Sequence, residues 1–316
     1  MNNVNKKTVS IVVPFFNEEA SIEVFYQTIL KVMNSLPHYC FEVLCVDDGS
    51  TDATLSKLIE LVNRDSRFLT IELSRNFGKE SALSAGLDAA TGCAVILLDA
   101  DLQDPPELIS CLLAEWENGA DVVLACRTDR QADSLLKRLS SKIFYRIHNL
   151  ISNVEIPEDA GDFRLMDRSV VQAVKQLPES NRFMKGLFAW VGFKSVKVGY
   201  VRAGRAEGVS KFSGWQLCNL ALDGLTSFSI APLRVWTYIG CVGAVLTLLY
   251  AFFIIIRTLV LGVDVPGYAS LLVAILFIGS LQLVSIGMLG EYIGRTYMES
   301  KRRPSYLIRK VYQNES

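Results

Sequence analysis

Three short segments place acids at the ends of apolar runs. The first reads Pro14-Phe15-Phe16-Asn17-Glu18-Glu19, the second Asp47-Asp48-Gly49-Ser50-Thr51-Asp52, and the third Asp99-Ala100-Asp101-Leu102-Gln103-Asp104. Carboxylates brought into one crevice repel each other unless a cation or hydrogen-bond donors compensate. Hard oxygen ligands suit Mg²⁺ or Mn²⁺, and such an ion is usually held by one or two carboxylates plus substrate phosphates. Taken alone, Asp-Gly-Ser-Thr-Asp is also an ordinary turn and helix N-cap signal. Asp99-Ala100-Asp101 has a more telling context. It ends an uncharged run, 94–98, and precedes Pro105-Pro106, which can open a helix. Asp99 and Asp101 are therefore the candidate metal ligands.

Basic residues supply the complementary charge. Asn76-Phe77-Gly78-Lys79-Glu80 lacks the spacing of a P-loop, which disfavours an NTPase. Lys79 at a helix start can still assist an anion, with a plain turn as the alternative. Gly161-Asp162-Phe163-Arg164 follows an acidic stretch. Further on, Arg202, Arg205 and Lys211 lie among Gly204, Gly208 and Ser210. That mixture suits a flexible phosphate clamp, since Arg offers bidentate donors and Lys a point charge. A generic positive segment beside a membrane is the bland alternative.

These residues need a frame. Apolar runs at 9–14, 41–46, 69–73, 94–98 and 121–125 read as strands, and helical patterns lie between them, as at 22–36 and 55–62. The alternation predicts an α/β fold: a mainly parallel sheet with helices on both faces. Such sheets bind ligands beyond the carboxyl ends of their strands, which is where the three acidic segments fall.

The chain has 316 residues, 50% of them hydrophobic, with mean hydropathy +0.28. This is too apolar for a wholly soluble protein. A net charge of −1 predicts no nucleic-acid partner. Seven scattered cysteines without a CxxC pair predict reduced, buried thiols. With only His38 and His148, a histidine metal centre is not expected. The polar first eight residues do not form a signal peptide, so the N-terminal part should stay cytoplasmic.

Two stretches, 235–256 and 265–290, carry no charged residue. A spanning helix needs about 20 such residues, so transmembrane helices are expected at about 235–257 and 267–290, within 232–293. The short connector makes them an antiparallel hairpin. Arg295, Lys301, Arg302, Arg303, Arg309 and Lys310 follow it, so the tail 294–316 should be cytoplasmic, as should the N-terminus. Gly240, Gly243, Gly279, Gly287, Gly290 and Gly294 offer close-packing faces, which predicts a homo-oligomer. Segment 134–152 spaces apolar residues helically among Lys137, Arg138, Lys142 and Arg146. It reads as an amphipathic helix on an anionic membrane surface, or else as an ordinary surface helix. Segment 212–231 reads as a second interfacial helix, leaving 1–211 as the catalytic domain.

Together these motifs resemble the family-2 glycosyltransferases of the GT-A fold, in particular the polyprenyl-phosphate sugar transferases such as the bacterial bactoprenol glucosyltransferases and dolichol-phosphate mannose synthase. The likeness rests on Val-Pro-Phe-Phe-Asn-Glu, Asp-Asp-Gly-Ser, Arg-Asn-Phe-Gly-Lys, Asp-Ala-Asp-Leu-Gln-Asp-Pro, Gly-Asp-Phe-Arg-Leu-Met, Asn-Arg-Phe-Met-Lys-Gly and Gly-Val-Ser-Lys-Phe, and covers essentially the whole chain. It implies that Pro14, Phe16, Glu18, Asp47 and Asp48 line the nucleotide, with Ala100 and Arg127. It implies that Asp99, Asp101 and Gln103 hold Mg²⁺ or Mn²⁺ with the diphosphate, and that Arg202, Arg205, Ser210 and Lys211 contact the acceptor phosphate. Asp162, Asp101, Arg205 and Lys211 would be catalytic. One departure is Glu207-Gly208, where many relatives have Ala-Gly; it adds a negative charge near the clamp.

The implied reaction is inverting transfer of a sugar, glucose from UDP-glucose by this resemblance, to undecaprenyl phosphate at the bacterial inner membrane. The product would be a lipid-linked donor for O-antigen modification. Another nucleotide sugar (GlcNAc, mannose or aminoarabinose type) is the alternative donor. A non-catalytic nucleotide-sugar sensor is a rival of a different class. Two spans are too few for a polysaccharide channel, and the Gln-x-x-Arg-Trp motif of processive synthases is absent.

Overall fold

The computed structural model describes residues 6–127, 160–177, 179, 182, 184–200, 231–261 and 267–314. Strands β1 (Lys7–Phe15), β2 (Tyr39–Asp47), β3 (Phe68–Leu73) and β4 (Ala94–Leu97) alternate with helices α1 (Ile22–Ser35), α2 (Thr54–Arg64) and α3 (Lys79–Ala89). A short 3-10 turn, Pro106–Leu108, leads into α4 (Ile109–Glu117) and β5 (Val122–Arg127). Then come β6 (Ala160–Asp167), α5 (Arg168–Lys175), α6 (Met184–Trp190) and β7 (Ser195–Tyr200). Two long helices follow, α7 (Ala231–Leu261) and α8 (Tyr268–Ser300), and then a last strand, β8 (Ile308–Tyr312).

The eight strands form one sheet in the order β7-β5-β6-β4-β1-β2-β3-β8. β4, β1, β2 and β3 are mutually parallel, and β5 pairs β7 in parallel. β6 runs antiparallel to both β4 and β5, and β8 runs antiparallel to β3. Six strands therefore point one way and two the other, so the sheet is mainly parallel as expected. The apolar-run reading did not anticipate the two reversed strands, β6 and β8, nor the parallel edge strand β7.

Strand alternation explains the two-faced core. Ile11, Val13 and Phe15 of β1 pack with Phe25, Ile29, Leu58 and Leu112 on one face. Val12, Leu44 and Val46 pack with Leu83, Leu87, Val170 and Val174 on the other. α3 lies close against β1: a Cβ at Gly86 would meet Val12 Cγ1 at 2.2 Å.

The long helices have a different surface. α7 spans 31 residues, about 46 Å at 1.5 Å per residue. Its Phe252 and the Leu283 of α8 are 63% and 72% exposed, the reverse of a soluble core. Among the described residues, Phe277–Ser300 is long and apolar enough to cross a membrane, and none of it is buried. α8 runs ten residues past the expected end of the second span, through an Arg295–Glu291 pair at 3.0 Å. The basic tail then returns to the sheet: Arg309 reaches Glu72 at 3.0 Å and Tyr312 donates to Glu72 at 2.9 Å. The expected amphipathic segment 134–152 and interfacial segment 212–231 lie outside the described residues, apart from Ala231.

The thiol expectation needs one correction. Cys45 and Cys126 are buried, but Cys40, Cys93 and Cys111 are exposed. Cys40 and Cys93 sit near the rims of strands and Cys111 on the solvent side of α4, where a small side chain has no core to enter.

Candidate active site

The loops after β1 and β2 are laced together. Asn17 N–H donates to Ser50 Oγ at 3.0 Å, and Thr51 N–H donates to Asn17 Oδ1 at 2.8 Å. Glu18 N–H donates to Thr54 Oγ1 at 2.9 Å, and Ala53 N–H to Glu19 Oε2 at 3.0 Å. Asn17 takes a left-handed backbone, φ 53°. Phe16 is left 44% exposed on this rim, next to half-buried Pro14 and Glu18.

Asp47 and Asp48, adjacent in sequence, do different jobs. Asp48 is buried, and its carboxylate accepts Phe77 N–H at 2.7 Å and Gly78 N–H at 2.9 Å. Both oxygens of Asp48, which was expected to line the nucleotide, are engaged by the 75–78 loop. Burial pushes its pKa up against those two hydrogen bonds. Asp47 accepts Ser50 N–H at 3.3 Å on Oδ2, while its buried Oδ1 has no partner among the described residues. Burial also raises Asp47, helped by Glu72 on the neighbouring strand. Gly49 between these acids and the loop has φ +69°, and a Cβ there would lie 2.5 Å from the Arg75 carbonyl carbon.

The loop after β4 holds the expected metal pair. Asp99 is partly buried, Asp101 is exposed, and Ala100 is buried between them. Gln103 N–H donates to Asp101 Oδ1 at 3.1 Å, and Leu102 is left-handed at φ 51°. Asp104 turns inward, where it accepts the Tyr200 hydroxyl. Two of the rim loops thus hold a non-glycine residue at positive φ, a strain often kept where a loop must present groups to a ligand.

Asp162 joins this rim because β6 is reversed. Leu97 pairs with Arg164, and two residues further the same register sets Asp99 opposite Asp162. The amino end of an antiparallel strand lies beside the carboxyl ends of its neighbours. Lys79, the first residue of α3, bridges the two acids: Nζ lies 2.7 Å from Asp99 Oδ1 and 2.6 Å from Asp162 Oδ2. Lys185 of α6 stands 3.8 Å from Asp162. Buried Arg164 donates to the Gly161 carbonyl at 2.7 Å and lies over the Phe188 ring.

The charges tune one another. Burial alone would raise Asp162, but Lys79, Lys185 and Arg164 outweigh it and hold the carboxyl at about 2. Burial would lower Lys79, and Asp162 and Asp99 more than reverse that. Asp99 is raised, chiefly by burial, with Asp162 and Asp101 adding to it against Lys79. Behind Lys79, Glu80 is pushed up to about 7 by burial and by Asp162. Its Oε2 is buried without a hydrogen-bond partner among the described residues.

Glu80 and Lys185 are additions to the expected site, and Lys79, read as an aid to an anion or a plain turn, pairs with Asp99 and Asp162. Lys79 and Lys185 lay in quoted motifs, yet nothing in their spacing sets them beside Asp162; that takes the sheet. Arg127 ends β5 opposite Tyr200, with its side chain outside the described residues. Arg202, Arg205, Glu207, Ser210 and Lys211 also lie outside them.

The chain matches Glycosyl transferase family 2 over residues 10–175 and the GtrB C-terminal hairpin over residues 231–296. It is 52% identical to a prophage bactoprenol glucosyl transferase homolog of Escherichia coli (strain K12), covering 96% of this chain and 99% of that one. It is 54% identical to the bactoprenol glucosyl transferase of Shigella phage SfV, again covering 96% and 99%. A solved mannosyltransferase from Pyrobaculum calidifontis, in complex with GDP-Man and Mn²⁺, gives a TM-score of 0.45 at 18% identity, covering 65% of this chain and 59% of that one. The family match encloses the rim built by β1, β2, β4 and β6, and the relatives match nearly end to end: the chain belongs to the family 2 glycosyl transferases and is a glycosyltransferase with a GtrB-type C-terminal hairpin.

Proposed function

We propose that the protein transfers glucose from UDP-glucose to undecaprenyl phosphate, with inversion, at the cytoplasmic face of a bacterial inner membrane. One observation carries the reading. A rim of acids crossed by Lys79, which with a divalent ion would suit a sugar diphosphate, occurs on the same chain as an exposed apolar hairpin suited to a lipid acceptor. The names of the bacterial and phage relatives support glucose and bactoprenol.

The donor set fits Mg²⁺ or Mn²⁺. Asp99, Asp101 and Gln103 offer hard oxygens on one loop. Among the described residues, no group of three His, Cys, Asp or Glu side chains can hold a metal alone. Substrate phosphates would then complete the shell, as is usual for these ions. When bound, the ion would neutralise charge developing on the departing diphosphate.

The protein's own groups do the rest. Phe16, Pro14, Glu18 and Asp47 border the nucleotide pocket, and Asp48 fixes the loop that aims Lys79. A lipid phosphate oxygen attacks the anomeric carbon as the bond to UDP breaks. That phosphate is largely ionised near neutral pH, so no strong base is required. A carboxyl held at about 2 is a poor proton acceptor, so Asp162 orients reactants. Arg205 and Lys211 stabilise the leaving diphosphate, while Arg202 and Ser210 contact the acceptor phosphate. The hairpin spans the membrane with both termini cytoplasmic. Copies associate through its glycines, whose spacing on α7 and α8 offers close-packing faces.

The test is a panel of nucleotide sugars given to the purified protein with Mn²⁺ and undecaprenyl phosphate. UDP-glucose should release its nucleotide faster than the GlcNAc, mannose and aminoarabinose donors. Preference for another donor would overturn glucose, and binding without turnover would favour the sensor.

A further inference from the structure

Lys79 occupies an unusual place for a surface lysine. Its ammonium joins two carboxylates from different strands, at 2.7 Å and 2.6 Å, yet its side chain is 42% exposed. It is therefore at the mouth of the site rather than in the core. Its position is imposed from behind: Asp48 grips Phe77 and Gly78 N–H, and Gly78, at φ +97°, turns the chain into α3. A buried, fixed carboxylate thus aims a cation at Asp99.

Asp99 is also the acid assigned to the divalent ion, so one carboxylate serves two cations. With Lys79 bound, Asp99 already has a positive neighbour, and a second cation at that carboxylate meets repulsion. A nucleotide diphosphate changes the balance, because its negative charge compensates both cations at once. Resting on the metal-dependent reading above, we infer that Lys79 is the resident counter-ion of the site: it holds Asp99 against Asp162 while no metal is bound, and it keeps the divalent cation weakly held until the nucleotide arrives. Lys79 is thus a positioning residue that makes cation and nucleotide binding interdependent.

The experiment measures Mn²⁺ binding to the full-length protein in detergent, by electron paramagnetic resonance of free Mn²⁺, with and without UDP. In the wild type, UDP should tighten Mn²⁺ binding at least about tenfold, and by linkage Mn²⁺ should tighten UDP binding by the same factor. Lys79→Met should bind Mn²⁺ without UDP at least about tenfold tighter than the wild type, with the UDP effect shrinking to match. Lys79→Arg keeps the charge and should retain the wild-type coupling. Lys79→Gln is read in place of the Met variant if circular dichroism shows the latter unfolded. Unchanged or weaker Mn²⁺ binding in the neutral variant overturns the inference, as does a wild type in which UDP does not affect Mn²⁺. A wild type that binds no Mn²⁺ under either condition sinks the metal reading itself, which separates the two failures.

Discussion

Asp162→Asn separates a positioning carboxylate from a catalytic base. At pH 7 the wild-type side chain is ionised and receives Lys79 at 2.6 Å, a charge-assisted bond worth about 1.5–3 kcal/mol. Lys79, Lys185 and Arg164 hold its pKa at about 2, against an ordinary 3.8, a stabilisation on the order of 2 kcal/mol. For a depressed carboxyl, that stabilisation is present above about pH 3.8 and is lost as pH falls through about 2. The asparagine variant lacks the charge, so Lys79 keeps only Asp99. Loss of one such contact predicts a fall in turnover of roughly 10- to 100-fold. In a Glu80→Gln background, which removes the one neighbour that Asp162 helps to raise to about 7, the factor should be the same at pH 6 and pH 8, because Asp162 does not titrate in that range. The assay is lipid-dependent UDP release across pH 5.5–8.5. If the variant abolished an acidic limb seen in the wild-type profile, Asp162 would be the base and the positioning role would be refuted.

Other perturbations probe the supports. Asp48→Ala removes two hydrogen bonds from a buried carboxylate and should cost about 3–5 kcal/mol, read as a lower thermal midpoint together with weaker UDP binding. Gly49→Ala forces a Cβ to 2.5 Å from the Arg75 backbone at φ +69°, and should cost about 2–4 kcal/mol by chemical denaturation; a neutral result would mean the loop is not fixed there. Glu80 is raised to about 7 from 4.5, so the folded state favours its protonated form and stability declines as pH climbs from about 4.5 through 7. Glu80→Gln should flatten that decline by at most about 3 kcal/mol, measured as the difference in thermal midpoint between the two proteins across the same pH range.

Much of the frame was legible because it is local. Apolar runs bounded by turn residues gave β1 to β5 to within a few residues, and the acidic segments fell at the carboxyl ends of β1, β2 and β4. What escaped was non-local. Nothing in Gly161-Asp162-Phe163-Arg164 says that it starts a reversed strand, and without that reversal Asp162 has no reason to face Asp99. β8 is charged and short, and becomes a strand only because β3 offers an edge and Glu72 offers a partner to Arg309 and Tyr312. Asp48 shows the limit of reading motifs by neighbours. It shares a segment with Asp47, yet Asp47 ends β2 while Asp48 begins the loop, and the two side chains reach different partners.

Transfer of labelled glucose from UDP-glucose into the lipid phase, in the presence of Mn²⁺ and undecaprenyl phosphate, tests the central claim most directly. The wild type should form lipid-linked glucose in an amount that requires both the lipid and the metal, and Asp101→Ala should form none while still inserting into membranes. Glucose transfer by Asp101→Ala at the wild-type rate, or UDP release by the wild type that ignores the lipid, would contradict the account.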